Sequence, residues 1–151
     1  MNEAGPYAAT IPHLVFVAFQ MMFAMITPAL ITGSLVGRVR FKALFIFILL
    51  WSVVVYYPMA IWYGEKAGFL AEIGSVDFAG GNVVHISSGV SALVFAMILG
   101  RRKGYGSYPL YKVINYSYLV VPWLLLFSGS AWFGFNAGSA LGANGLAAHA
   151  L

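Results

Sequence analysis

From Thr10 onward the chain alternates between long apolar runs and short polar turns. Four runs stand out, roughly Thr10 to Val36, Ala43 to Tyr63, Gly80 to Leu99 and Val113 to Ala137, and none of them contains Asp, Glu, Lys or Arg. At ~1.5 Å per residue each is long enough, as a helix, to cross a ~30 Å hydrocarbon core. The pattern therefore predicts four transmembrane helices and an all-α membrane bundle. Pro28, Pro58 and Pro122 fall inside runs; each removes a backbone donor and is expected to kink its helix unless a neighbour restores the lost bond.

The third run is unlike the others. Asp77 to Ala96 reads DFAGGNVVHISSGVSALVFA, with a histidine in the middle of a segment that is otherwise uncharged after Asp77. Wound at ~100° per residue, Phe78, Gly81, Asn82, His85, Ser88, Gly89, Ala92 and Ala96 share one stripe, while Val83, Val84, Ile86, Val90 and Val94 face elsewhere, with Val84 expected against lipid. Such a stripe either admits a neighbouring helix or lines a narrow cavity. An imidazole at bilayer depth is in either case a functional hypothesis by default.

Composition agrees with a membrane protein. Of 151 residues 62% are hydrophobic and 8% charged, with mean hydropathy +0.88, whereas a soluble surface needs roughly a quarter charged residues. Cysteine is absent, which removes disulfides, thiolate metal sites and thiol nucleophiles; no metal, cofactor or enzyme class is indicated. The formal charge of +4 does not signal nucleic acid. Arg38, Arg40 and Lys42 lie between the first two runs, and Arg101, Arg102, Lys103 and Lys112 between the last two. The positive-inside rule places both loops in the cytoplasm. The middle loop, with Glu65, Glu72 and Asp77 against Lys66, then lies outside with both chain ends, and its sign favours an incoming cation. The N-terminus has no basic n-region, so no cleaved signal peptide is read. With no repeat or linker, residues 1–151 read as one membrane unit. Gly134, Gly138 and Gly142 form two overlapping GxxxG units, expected to let another helix approach closely.

Three segments carry a resemblance. FQMMFAMITPALITG, DFAGGNVVHISSG and AWFGFNAGSALGANG resemble consecutive segments of the ammonium transporter family (Amt/Mep, with the Rh proteins as relatives). The resemblance implies part of an eleven-helix fold with inverted repeats, covering helices three to six, and a homotrimer at full length. It also implies the substrate, ammonium or ammonia, and a PII-type regulatory protein as a partner.

Residue by residue, His85 matches the first of the family's paired pore histidines, the second falling beyond Leu151. A neutral imidazole, one nitrogen donating and one accepting, suits a small amine. Phe19 and Phe23, four residues apart, match the aromatic pair that closes the pore below the outer vestibule; ordinary core packing is the competing reading. Asp77 matches the family's acid but also stands where a cap belongs, so its role is read as structural with an electrostatic benefit. Ser139 matches a vestibule serine that can accept a hydrogen bond from ammonium, with Trp132 and Phe135 on neighbouring turns.

The chain also departs from the family. Where PMAHWVWGGG is common, it reads PMAIWYGEKAG: Ile61 takes a histidine slot and Gly64 the slot of the vestibule tryptophan. Trp62 or Tyr63 stands next to that vacancy, and Lys66 opposes a cation there. Gly37 replaces an acid, and Tyr116 and Ser117 replace a His-Asn pair. The expectation is ammonium transport through a hydrophobic pore, by the whole protein rather than by this chain alone. An ammonium sensor of the same fold and a non-transporting four-span scaffold are the alternatives.

Overall fold

A computed structural model describes residues 3–64, 68–102, 105–106 and 117–151, with the backbone alone at 117–124. Glu65, Lys66, Lys103, Lys112, Tyr116 and the start of the fourth run at Val113 lie outside the described residues. The chain divides into two units, Met1–Arg102 and Lys103–Leu151.

The first unit opens with a hairpin, β1 (Ala4–Gly5) against β2 (Ala8–Pro12). The His13 N–H donates to the Glu3 carbonyl at 3.0 Å and closes it. The first helix thus begins later than the apolar run: Thr10 to Pro12 belong to the strand, and α1 is His13–Leu35. Next come α2 (Phe41–Trp51), a π-helical turn (Ser52–Tyr56) and α3 (Tyr57–Gly64), three parts of one continuous helical run. The short α4 (Phe69–Glu72) lies in the middle loop. A second π-helical segment, Gly81–Ile86, leads into α5 (Ser87–Leu99). The three helical runs of this unit are each long and apolar enough to cross a membrane.

Both π segments have local causes. Pro58 has no N–H for the Val54 carbonyl, and its ring crowds that oxygen. The wider turn, which includes Val54, lies where the crowding would otherwise kink the helix. At Gly80 the backbone is left-handed, φ 83°, and its carbonyl accepts from the N–H of Val84 at 2.9 Å and of His85 at 3.0 Å. One acceptor shared between i+4 and i+5 starts the wider winding.

That winding corrects the stripe drawn at 100° per residue. The face of this helix that is buried consists of Val84, Ser87 and Ser88, and α5 packs along α1. Val84, expected against lipid, is 0% exposed, whereas His85 and Gly89 lie on the exposed side. On α1 the buried row is Phe23, Thr27, Pro28, Ile31 and Leu35, a helical repeat. The serines are short, and their hydroxyls bond back within their own helix: Ser88 to the Val84 carbonyl at 2.6 Å and Ser91 to Ser87 at 2.7 Å. They therefore allow close approach without needing a partner across the interface.

The second unit contains α6 (Ser117–Asn136), a 3-10 turn (Ala137–Ala140) and α7 (Gly145–His149). At ~1.5 Å per residue α6 is long enough for a fourth crossing. It ends at Asn136, and Leu141 takes a left-handed φ of 51°. Gly138 and Gly142 are consequently off the helix, so the expected GxxxG pair does not form one seam; only Gly134 is helical.

At Gly80 a side chain is opposed on two counts. A Cβ there would lie 2.6 Å from Val84 Cγ2, and the positive φ is costly for any L side chain. Gly80→Ala is expected to destabilise the protein by about 2–4 kcal/mol, combining left-handed strain with overpacking. Gly89→Ala, which meets nothing within 4 Å, serves as the control in thermal unfolding of the detergent-solubilised protein.

Candidate functional site

In the first unit the site is assembled around the start of the His85 segment. Asp77 precedes it, and its carboxylate accepts three backbone N–H bonds: Gly81 at 2.6 Å, Asn82 at 2.9 Å and Val83 at 2.9 Å. These are donors that a helix start leaves without an intrahelical acceptor. A carboxylate so held is fixed in place, and its charge is complemented by the amino end of the helix.

Phe19 and Phe23 meet edge to face, with ring centroids 4.9 Å apart and an interplanar angle of 70°. Phe23 is 8% exposed. Its Cδ1 is 3.6 Å from the place where a Cβ on Gly80 would stand, so the inner ring of the pair sits against the residue that starts the His85 segment. A second restraint comes from Thr27. Its hydroxyl donates to the Phe23 carbonyl at 2.6 Å, and Thr27 and Tyr56 are both buried where α1 meets the π turn. Phe23, Thr27 and Tyr56 thus tie α1 to the π turn before Pro58. Gly80, Thr27 and Tyr56 were not singled out in the sequence. The signal was a buried threonine four residues after the aromatic, readable only once the buried face was known.

His85 is at the last turn of the π segment, on its exposed side. Trp62, one of the two side chains beside the vacant tryptophan slot, is 44% exposed. The other, Tyr63, is tied by its hydroxyl to Ser75 Oγ at 2.9 Å, bracing α3 against the middle loop.

In the second unit Trp132 and Phe135 are edge to face, 5.1 Å apart at 66°. Ser139 Oγ donates to the Phe135 carbonyl at 2.7 Å. Its one proton is engaged, and its lone pairs are left to accept. A small depression of about 90 Å³ is lined by Gly129, Trp132, Phe133, Asn136 and Leu151; Phe135 and Ser139 do not line it. Asn144 caps α7, its side-chain oxygen accepting from the Ala147 N–H at 3.0 Å.

The whole chain, residues 1–151, matches the Ammonium Transporter Family. The chain belongs to that family. It is 47% identical over 149 residues to an ammonium transporter of Bacillus subtilis, covering 98% of this chain and 35% of that protein. Against an ammonium transporter of Aquifex aeolicus it is 51% identical over 140 residues, 93% of this chain and 31% of the relative. A putative ammonium transporter of Methanothermobacter thermautotrophicus is 47% identical over 151 residues, all of this chain and 35% of the relative. No solved structure matches. The chain spans about a third of the length of these curated relatives. Family and apolar helices together make it a multi-pass membrane protein with part of the family's helical fold.

Proposed function

We propose that this chain supplies pore-forming helices to a protein that moves ammonium across the membrane as ammonia, the four spans acting as one membrane unit. The observation that carries the reading is the placement of Phe23, edge to face with Phe19 and against Gly80 at the start of the His85 segment. Family membership and the relatives' names support it.

The mechanism rests on desolvation. A bare ion in a hydrophobic pore costs several kcal/mol or more, so ammonium gives up a proton to water on the outer side before it enters. Phe19 and Phe23 exclude water at that point and offer ring faces to the cation, an attraction of ~1–2 kcal/mol. Ammonia then passes His85, whose imidazole nitrogens can donate or accept a hydrogen bond. Potassium has no proton to lose and cannot follow. Asp77, fixed by three N–H donors, keeps a negative charge near the outer end, and Ser139, its own proton engaged, accepts a hydrogen bond from ammonium beside Trp132 and Phe135. The full-length protein is a homotrimer regulated by a PII-type protein in this reading, and transport involves no enzymatic turnover.

Two measurements in the full-length protein test this. Phe23→Ala should change methylammonium uptake per folded protein by about 5- to 30-fold, the loss of one cation–π contact. Val90→Ala, at an exposed apolar position, should change it little, and equal effects would return the phenylalanine pair to core packing. Gly64→Trp combined with Lys66→Gln should lower the apparent KM for methylammonium by a similar 5- to 30-fold at near-constant maximal rate. An unchanged KM would mean that Trp62 or Tyr63 already fills the vestibule.

A further inference from the structure

A series of hydrogen bonds runs past His85 and out of its helix. At the start the Asp77 carboxylate accepts from the Val83 N–H at 2.9 Å. The Val83 carbonyl accepts from the Ser87 hydroxyl, and the Ser87 carbonyl accepts from the Ser91 hydroxyl at 2.7 Å. There the series crosses to another helix, because Trp51 Nε1 donates to Ser91 Oγ at 2.9 Å. An indole N–H can only donate, and Ser91, its own proton engaged with Ser87, receives it on a lone pair. His85 lies midway along the series, inside the π-helical segment Gly81–Ile86.

That position matters because of the wider turn. Winding a π segment back to α-helix would rotate everything beyond it relative to everything before it, by about 100° for one residue taken out of the wide turn. Keeping the π segment therefore requires both flanks to be fixed in rotation. The flank before it is fixed by Asp77 and by the left-handed backbone of Gly80, φ 83°. On the flank after it, Ser87 and Ser88 lie buried, but their hydroxyl protons go to carbonyls of their own helix, so they permit close packing on α1 without directing it. The bond from Trp51 is directional. Trp51 is 6% exposed and ends α2 just before the π turn Ser52–Tyr56. Its ring is backed by Phe47, 6.5 Å away, which itself meets Phe95 edge to face at 4.6 Å, one turn beyond Ser91. The indole is thus held where its N–H points at Ser91.

We propose that Trp51 is a positioning residue for His85: its indole N–H, bonded to Ser91, fixes the rotation of the helix beyond the π segment and with it the direction in which the imidazole faces. The consequence for transport rests on the pore reading of His85 given above; the consequence for the π segment does not.

The test is hydrogen exchange of the full-length protein in detergent, read by mass spectrometry over residues 81–86, with methylammonium uptake per folded protein measured alongside. Trp51→Phe keeps a ring and removes the N–H, Ser91→Ala keeps the indole and removes its acceptor, and Ser91→Thr keeps the hydroxyl. The first two should each speed exchange over 81–86 by about 2- to 10-fold, the loss of one hydrogen bond, and leave exchange over 13–35 at the wild-type rate. Ser91→Thr should stay within about twofold of the wild type. The maximal rate of uptake should fall by a similar 2- to 10-fold at near-constant KM, because the outer vestibule is untouched. Should Trp51→Phe fail to fold, Ser91→Ala carries both measurements. Unchanged exchange over 81–86, equal acceleration over 13–35, a Ser91→Thr variant that behaves as Ser91→Ala, or a raised KM at constant maximal rate would each overturn the assignment. Faster exchange over 81–86 with uptake unchanged would establish the positioning of the segment and overturn the pore role of His85 instead.

Discussion

The close approach of α1 to the start of the His85 segment is the constraint on which the rest of this unit depends. It requires a residue without a side chain at position 80, where the backbone is left-handed, Val84 crowds the space and Phe23 lies in van der Waals contact. The exposed N–H groups that follow need an acceptor, and Asp77 provides it three times. With the segment started and capped in this way, the Gly80 carbonyl serves both Val84 and His85. The wider winding that results decides which way His85 faces. A capping carboxylate, a glycine and an aromatic ring thus set the orientation of an imidazole several residues away.

Packing below that point follows from side-chain size. Ser87 and Ser88 lie buried opposite the row from Phe23 to Leu35, and their hydroxyls are satisfied within their own helix. Short side chains with no outstanding bonds bring two helices together in a setting where apolar burial gives no net drive, because lipid is as apolar as leucine. Tyr56 and Thr27, both buried, pack α1 against the π turn. The ring of Phe23 is consequently restrained through its backbone by Thr27 and on its edge by Gly80.

The spans were legible in the sequence because a bilayer demands little more than about twenty uncharged residues in a row, and the runs supply them. Which face of a span packs was less legible. Val84 was assigned to lipid by a constant 100° winding, and the π segment, which depends on the hydrogen bonding of one glycine carbonyl, broke that periodicity. The glycines of the fourth span misled in a similar way: spacing by four implies a seam only where the helix continues, and α6 stops at Asn136 before two of them. The cap at Asp77 could be read as a cap from its position before a glycine-rich helix start. The roles of Thr27 and Tyr56 could not, since their burial brings together residues 29 positions apart and no local pattern signals it. The family was legible because its motifs are long and ordered, and the sequence comparisons place the chain in it.

The central proposal is that Phe23, seated beside Gly80, gates the pore. A double-mutant cycle tests it most directly, with methylammonium uptake per folded protein measured in the wild type, Gly80→Ala, Phe23→Leu and the double variant. Because the added methyl group displaces Val84 and with it the segment against which the Phe23 ring sits, part of its effect on uptake should vanish once the ring is removed, with a coupling of at least about 1 kcal/mol, or roughly fivefold in rate. Independent effects that multiply in the double variant would contradict the account.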